Sequence, residues 1–532
     1  MKRWKALALT GVMATTVIGA ACGEQTDIPQ NVVADEYKIT IACQTEMGEV
    51  EVLETLKAAY EAKNPNVKIE IKTFSGDGFE QYMYGIASEP TDSPNIIWTA
   101  DTYHSQWDQY FTDLRPYYEA SEETDYSLYY ETMLDAASTH GYFKPTKNYK
   151  GAFRSDDLDT NSDGFESYEN HSDYGLYYAP RDYNKPAILC NTHLFDELDG
   201  DYELTYKTKN GGAEMPADYV KTRDRLTAVV AGTDWDSMSD LYAFAQMIAE
   251  RMIYIANNAD FDRNMGKKWI NRAVLNLFLE WEPTYTTVMD DFGARVFKED
   301  GSLNLSAVSS QLEELHAGLF PADEQVAGVL TTTTNGVAFK DGGLFMNVCS
   351  RPVVLGYGNT FRGYYGGETC LEAIPLPVKN VAAGNSGYAI SNIWDGAGMT
   401  VNGEYKSYND LSWDFIKFII TEEGQEVAGE TGLNIPVLKK LYSEETNGGV
   451  TPAWRKVETL GTMSNDAWVA GGELRQDTFN IFKSTRRLTM RNVVRTFFGN
   501  IQKSNYNEGS LAKLIEATEK NYKNNNPSGS LR

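Results

Sequence analysis

The chain has 532 residues, 42% of them apolar and 23% charged. This is the composition of a folded protein of roughly two to four domains, not of a disordered one. It carries 48 Lys and Arg against 75 Asp and Glu, a net charge of −27. That excess argues against a nucleic-acid binder, whose phosphate contacts need a basic face, and against attachment to anionic lipid through charge.

The N-terminus reads Lys2, Arg3, Lys5, then an apolar run from Ala6 to Ala21, then Cys22. A basic start, an apolar stretch too short for the roughly 20 residues of a membrane span, and small residues before a cleavage point form a secretory signal peptide. Gly19-Ala20-Ala21-Cys22 resembles a bacterial lipobox. The resemblance implies that Cys22 becomes the lipid-modified first residue of a protein held at the extracellular face of the cell membrane. Gly19 stands where that family usually has Leu. Four further cysteines, Cys43, Cys190, Cys349 and Cys370, could form disulfides outside the cytoplasm, and the sequence does not choose among the three full pairings. With five Cys, five His, no CxxC and no close His pair, a zinc site or redox dithiol is not expected.

Lys38 to Cys43 alternates as a strand, and Glu46 to Lys63 carries Val52, Leu56, Ala59 and Tyr60 on one helical face. Asn64-Pro65 stops that helix. Val67 to Thr73 alternates as a second strand, Phe79, Tyr82, Met83 and Ile86 mark a second helix, and Asn95 to Trp98 is a short buried strand. This order predicts an α/β domain whose ligand lies beyond the carboxyl ends of the strands. After polar sequence over 140–175, regular signals return at Leu176 to Pro180 and Ala187 to Cys190. Helices are predicted from Asp240 to Tyr254 with Ser239 as N-cap, Ala273 to Phe278, Ser306 to Leu315, Trp413 to Ile420 and Gly424 to Gly429, with one long pattern from Val493 to Tyr522.

Several segments together resemble the extracellular solute-binding proteins of ABC sugar transporters, the maltose-binding-protein-like group. They are Tyr60 to Glu70, Ser93 to Asp101, Tyr178 to Asn184 with Asn191 to Phe195, Ala338 to Met346, Ile374 to Pro377 with Ser386 to Ser391, and Trp413 to Gln425 continuing to Pro436. The resemblance implies a two-lobe α/β fold, each lobe a mixed sheet flanked by helices, with a hinge between them and ligand in the cleft. On that reading 1–21 is the signal peptide and 22–36 a tether. Lobe 1 is 37–180 with an insertion at 140–175 and a return at 377–435. Lobe 2 is 181–376 with a return at 436–525, and 526–532 is a tail. The implied function is capture of a carbohydrate, with an oligosaccharide as the expected form, and its delivery by a monomer to ABC permease subunits. No catalysis and no nucleic acid are involved. The alternatives are a binding lipoprotein or sensor for a non-sugar solute, and a surface glycoside hydrolase. No GxSxG, HExxH or P-loop pattern supports catalysis.

Sugars offer apolar faces to aromatic rings and hydroxyl rims to paired donors and acceptors. The chain is rich in such rings, with 33 Tyr, 22 Phe and 10 Trp. The ligand-binding candidates at strand ends and lobe crossings are Gln44, Glu46, Trp98, Asp101, Tyr103, Tyr178, Arg181, Trp281, Arg351 and Tyr388. Several have a bland alternative: Trp98 as core, Asp101 as a cap, Arg181 paired to Asp182, Arg351 on a solvated surface. Arg351 stands where the family often has Trp, which points to a charged or unusual ligand. Gly387 would let the backbone approach ligand closely.

Asp159 to Asn170 resembles an EF-hand loop. Asp159, Asn161, Asp163 and Ser167 sit at loop positions 1, 3, 5 and 9, Gly164 at 6, the Phe165 carbonyl at 7 and Asn170 at 12. A structural calcium ion is expected there, weakened by Asn170 in place of a bidentate Glu. No other cofactor is required.

Overall fold

The structure is a computed structural model. It describes residues 31–45, 48–88, 93–100, 107–138, 144–146, 148–151, 175–231, 235–298, 302–332, 339–351, 353, 370–433, 435, 436–441, 448–455, 473–474 and 487–525. Its strands are β1 Asn31–Ala34, β2 Tyr37–Gln44, β3 Val67–Phe74, β4 Ile96–Ala100, β5 Ala179–Asn184, β6 Ala187–Asn191 and β7 Ala273–Asn276. They continue with β8 Leu344–Cys349, β9 Leu371–Pro375, β10 Asn380–Val381, β11 Gly384–Ile390, β12 Gly398–Val401, β13 Glu404–Ser407 and β14 Glu473–Leu474.

The first sheet has the order β3-β2-β4-β11-β5. β3, β2 and β4 run parallel, so their carboxyl ends share one edge, while β11 is antiparallel to both β4 and β5. Parallel strands need buried faces, and β4 is buried at every position. The helix Glu49–Lys63 supplies cover with Val52, Leu53, Leu56 and Tyr60, and ends at Asn64, before Pro65 as read from the sequence. The helix Tyr408–Ile420 adds Leu411, Phe415, Ile416, Ile419 and Ile420.

The second sheet has the order β7-β8-β6-β9, with β7 and β8 parallel and β6 antiparallel to β8 and β9. Its core is closed by the helix Met238–Asn258 and by Val494, Phe497, Phe498 and Ile501 of the helix Arg487–Lys503. Ile188 and Cys190 of β6 point into this second core, whereas Ala187 and Leu189 join the first. The chain passes from the first sheet to the second across residues 185–186, and returns after β9 to enter β11.

Several boundaries differ from the sequence reading. Ala273 to Phe278, expected as helix, forms β7, because a short apolar run has no distinguishing period and β8 offers it ladder partners. The N-cap of the helix Met238–Asn258 is Ser237, which with Asp240 makes a capping box, in place of Ser239. The single pattern from Val493 to Tyr522 is two helices, Arg487–Lys503 and Glu508–Asn525. Part of the expected tether is strand, since β1 pairs in parallel with β12, which is antiparallel to β13. β5 lies wholly in the first sheet, so the crossing follows residue 184 and not 180. Val437, Leu438, Leu441 and Trp454 pack in the first core, beyond the lobe boundary expected at 435. Cys43, Cys190, Cys349 and Cys370 are buried free thiols.

Candidate ligand cleft

Because β2, β3 and β4 are parallel, whatever follows their last residues collects on one rim. Gln44 ends β2, half-buried. Phe74 ends β3, and its ring stacks on Tyr82 at 4.1 Å and 18°. Tyr82 lies on the helix Gly76–Ser88, which starts with one residue between it and Phe74 and packs its rings back on the rim. Phe79 of the same helix bridges Phe74 to Trp98 through ring contacts at 6.3 and 5.7 Å. Tyr84, 54% exposed, meets buried Trp107 edge-on at 4.8 Å. Phe74, Tyr82 and Tyr84 thus form a partly exposed aromatic ledge beside Gln44, which pairs with Phe74, while Phe79, Trp98 and Trp107 are its buried support.

The second sheet has its own ledge, at the carboxyl end of β7. The residues Leu277–Trp281 turn sharply there, with Phe278 at φ 51°, inside the left-handed region. A bulky side chain in that region costs about 1–3 kcal/mol, and such strain gathers at ligand clamps. The turn sets the Phe278 and Trp281 rings 6.2 Å apart at 32°, both partly exposed. Glu280, between them, pairs with Lys503 at 2.9 Å.

Most of the other sequence candidates sit inside the protein. Arg181 is 3% exposed and holds the carboxylates of Asp182 and of Glu49, the latter at 2.8 Å. Tyr388, fully buried, donates to Glu49, while the Asp182 carboxylate also accepts from Ser386 Oγ at 2.8 Å. This cluster fastens the start of the helix Glu49–Lys63 to β5 and β11. Burial works against the Arg181 charge, but Asp182 and Glu49 outweigh it and hold the guanidinium above its ordinary value. Burial pushes the Glu49 carboxyl up, opposed by Arg181 and reinforced by Asp182. Tyr178 is buried with its hydroxyl donating to Asn385, and Trp98 packs edge-on against Phe79.

Arg351 lies just past β8 of the second sheet, after Ser350, yet its guanidinium donates to the carbonyls of Gly432 at 3.0 Å and Trp454 at 2.6 Å. Its charged carbon lies 5.2 Å from the centre of the Trp454 ring. It is 1% exposed, and burial pulls its pKa down to about 10. Arg351 thus ties the second sheet to the first core and does not line an open wall. Gly387 also serves packing: a Cβ there would lie 1.9 Å from the Ala179 carbonyl oxygen of β5. Its close backbone approach is to a neighbouring strand. Of the ten ligand candidates, Gln44 and Trp281 are described on the two rims. Glu46, Asp101 and Tyr103 lie outside the described residues, as do Cys22 and the loop 159–170.

Sequence reasoning passed over Phe74, Tyr82, Tyr84, Trp107 and Phe278. The signal for Phe74 was present, because it directly follows the second predicted strand just as Gln44 follows the first. Among the described residues no cluster of His, Cys, Asp and Glu could hold a metal ion, and no helix is long and apolar enough to cross a membrane.

Two sheets with two cores, between which the chain passes more than once, define the architecture, and solved structures share this fold. The GacH receptor of Streptomyces glaucescens, solved unliganded and with acarbose, aligns with a TM-score of 0.57 at 13% identity, over 93% of this chain and 99% of its own. An ABC substrate-binding protein of Listeria monocytogenes in complex with cycloalternan aligns at 0.55 and 13%, over 93% and 100%. Maltose-bound MalE3 of T. maritima aligns at 0.54 and 11%, over 91% and 99%. The chain has the two-lobe solute-binding-protein fold. No protein-family model matches the sequence, and no curated protein matches it either. The resemblance in the sequence motifs and the likeness in three dimensions therefore agree on fold at an identity too low to carry residue roles.

Proposed function

We propose that the protein captures a carbohydrate between its two lobes and hands it, unaltered, to an ABC permease. The observation that carries this reading is the pair of aromatic ledges, Phe74–Tyr82 and Phe278–Trp281, at the strand ends of both sheets. Rings stack on the apolar faces of sugars, and strand ends are where ligands of such sheets sit. The fold supports it further, since the similar proteins include ones solved with acarbose, cycloalternan and maltose. Arg351, which pointed to a charged solute, is engaged by main-chain carbonyls instead. That leaves the non-sugar reading without its main support.

Calorimetry against a panel of mono- and oligosaccharides, with parallel analysis for cleavage products, tests the proposal. Saturable binding without products is expected. Turnover would assign the chain to hydrolysis, and no binding across the panel would overturn the carbohydrate reading.

The reading includes anchoring through lipidated Cys22, monomeric action at the extracellular face, and a structural calcium ion at Asp159, Asn161, Asp163, Phe165, Ser167 and Asn170. Replacement of Cys22 by Ser should abolish labelling by a fatty-acid probe in cells and release the protein to the medium. Calcium at millimolar concentration should raise the melting temperature, and Asp159→Ala with Asp163→Ala should remove that rise. An unchanged melting temperature counts against calcium.

A further inference from the structure

We propose that Gln502 is a positioning residue that sets the geometry of the Trp281 ring pair, acting through the turn Leu277–Trp281. The inference rests on the carbohydrate reading for its functional consequence, but its structural content stands on separate observations. Phe278 and Asn402 are the non-glycine residues with positive φ among those described. Asn tolerates that conformation through its short polar side chain, whereas Phe has no such compensation. Something outside the turn must hold it.

The holding groups are neutral amides. Asn276 Oδ1 accepts from the Phe278 N–H at 3.0 Å and from Gln502 Nε2 at 2.6 Å. Asn276 Nδ2 donates to Asn347 Oδ1 at 2.8 Å, which links the ends of β7 and β8. Gln502 Oε1 accepts from the Leu279 N–H at 3.1 Å, and its Nε2 also donates to the Thr332 carbonyl at 2.7 Å. Gln502, Asn276 and Asn347 are 3%, 1% and 2% exposed. A satisfied amide network in such surroundings fixes one geometry, since any slip strands a buried polar group. One amide from a helix more than two hundred residues away thus grips both ends of the strained step, at Asn276 and at Leu279.

The same helix holds the turn twice more. Arg495 Nε donates to the Glu280 carbonyl at 2.9 Å, and Lys503 Nζ meets the Glu280 carboxylate at 2.9 Å. Arg495, Gln502 and Lys503 lie seven and eight residues apart, on one face of the helix. Trp281 closes the turn by donating its N–H to the Phe278 carbonyl at 3.1 Å. The orientation of the two rings is therefore a property of the helix Arg487–Lys503 as much as of the turn itself. The Gln502 amide bonds to Leu279, Asn276 and Thr332, so it acts on ligand by placing Trp281.

The test uses the full chain labelled with 5-fluorotryptophan, with the Trp281 resonance assigned by Trp281→Phe. Gln502→Leu should shift or broaden that fluorine resonance while the other tryptophan lines stay in place. It should also weaken binding of maltotriose or mannotriose, whichever binds wild type, at least tenfold. A folded Gln502→Leu variant with an unmoved Trp281 line overturns the proposal. If that variant does not fold, Gln502→Glu, which keeps an acceptor for Leu279 and loses the donor, is read by the same criterion. A moved Trp281 line with trisaccharide binding unchanged in both Gln502→Leu and Trp281→Ala would instead refute Trp281 as a sugar platform and leave the positioning role standing.

Discussion

Replacing Arg351 by Met should destabilise the link between the lobes without abolishing sugar binding. The wild-type guanidinium makes two hydrogen bonds, at 3.0 and 2.6 Å, to the carbonyls of Gly432 and Trp454, and lies against the Trp454 ring. Hydrogen bonds from a charged donor contribute roughly 1.5–3 kcal/mol each, and a desolvated cation over Trp about 2. Against these, Met no longer forces a charge out of water, and that recovers several kcal/mol. The pKa pulled down to about 10 by burial indicates that this opposing contribution is large. The net loss is therefore about 2–4 kcal/mol, well short of the sum of the contacts. Urea denaturation followed by tryptophan fluorescence should show an earlier midpoint, with oligosaccharide affinity within threefold of wild type under native conditions. An unchanged midpoint combined with a tenfold loss of affinity would refute the reasoning, because it would place Arg351 on the ligand.

Two other substitutions probe the same fold. Gly387→Ala puts a Cβ 1.9 Å from a main-chain oxygen of β5, which cannot rotate away, so thermal unfolding should fall by several degrees; an unchanged melting temperature would mean that β5 and β11 separate more easily than their register implies. Lys185, buried at the crossing between the sheets, has its ammonium pKa lowered by burial to about 7. Between that value and an unfolded value near 10.4, the unfolded chain holds a proton that the folded chain lacks, so this group makes stability rise with pH across the window. The buried thiols Cys43, Cys190 and Cys349 are held above their ordinary value by burial and act in the opposite sense at the alkaline end. The Lys185→Met difference isolates the lysine: the variant should be more stable than wild type near pH 7, with the gap closing toward pH 10. A gap constant with pH would refute the assignment.

The three parallel strands of the first sheet, β2, β3 and β4, are legible in the sequence because alternation and short apolar runs have few other uses. Val67 to Thr73 reads as a strand at sight, and Phe74 extends it by one residue. β7 is not legible in the same way. Ala-Val-Leu-Asn carries no period, and what decides it is the ladder offered by β8, seventy residues later. The two C-terminal helices read as one because their apolar spacing continues across the break at residues 504–507. Cap chemistry shows a related limit, since Ser237 and Ser239 both stand just before Asp240 in sequence and the bonds of Ser237 with Asp240 choose between them.

Site residues are harder to read, for a physical reason visible in the charges. A cation at a strand end or a crossing can face ligand or be engaged by the chain, and the sequence does not contain the partner's position. Arg181 finds Glu49, 132 residues away in sequence, and Arg351 finds carbonyls 81 and 103 residues on. Arg495 and Lys503 are engaged by Glu280. Once these internal partners are assigned, the two described rims carry the Phe74, Tyr82, Tyr84, Phe278 and Trp281 rings, the Gln44 amide and the part-exposed Glu280–Lys503 pair. The described cations near the rims thus act as fasteners within a chain of net charge −27. On the carbohydrate reading proposed above, specificity would then come from ring placement. That makes the buried amides Asn276, Asn347 and Gln502, which carry no charge and face no solvent, more consequential for binding than the arginines that stand out in the sequence.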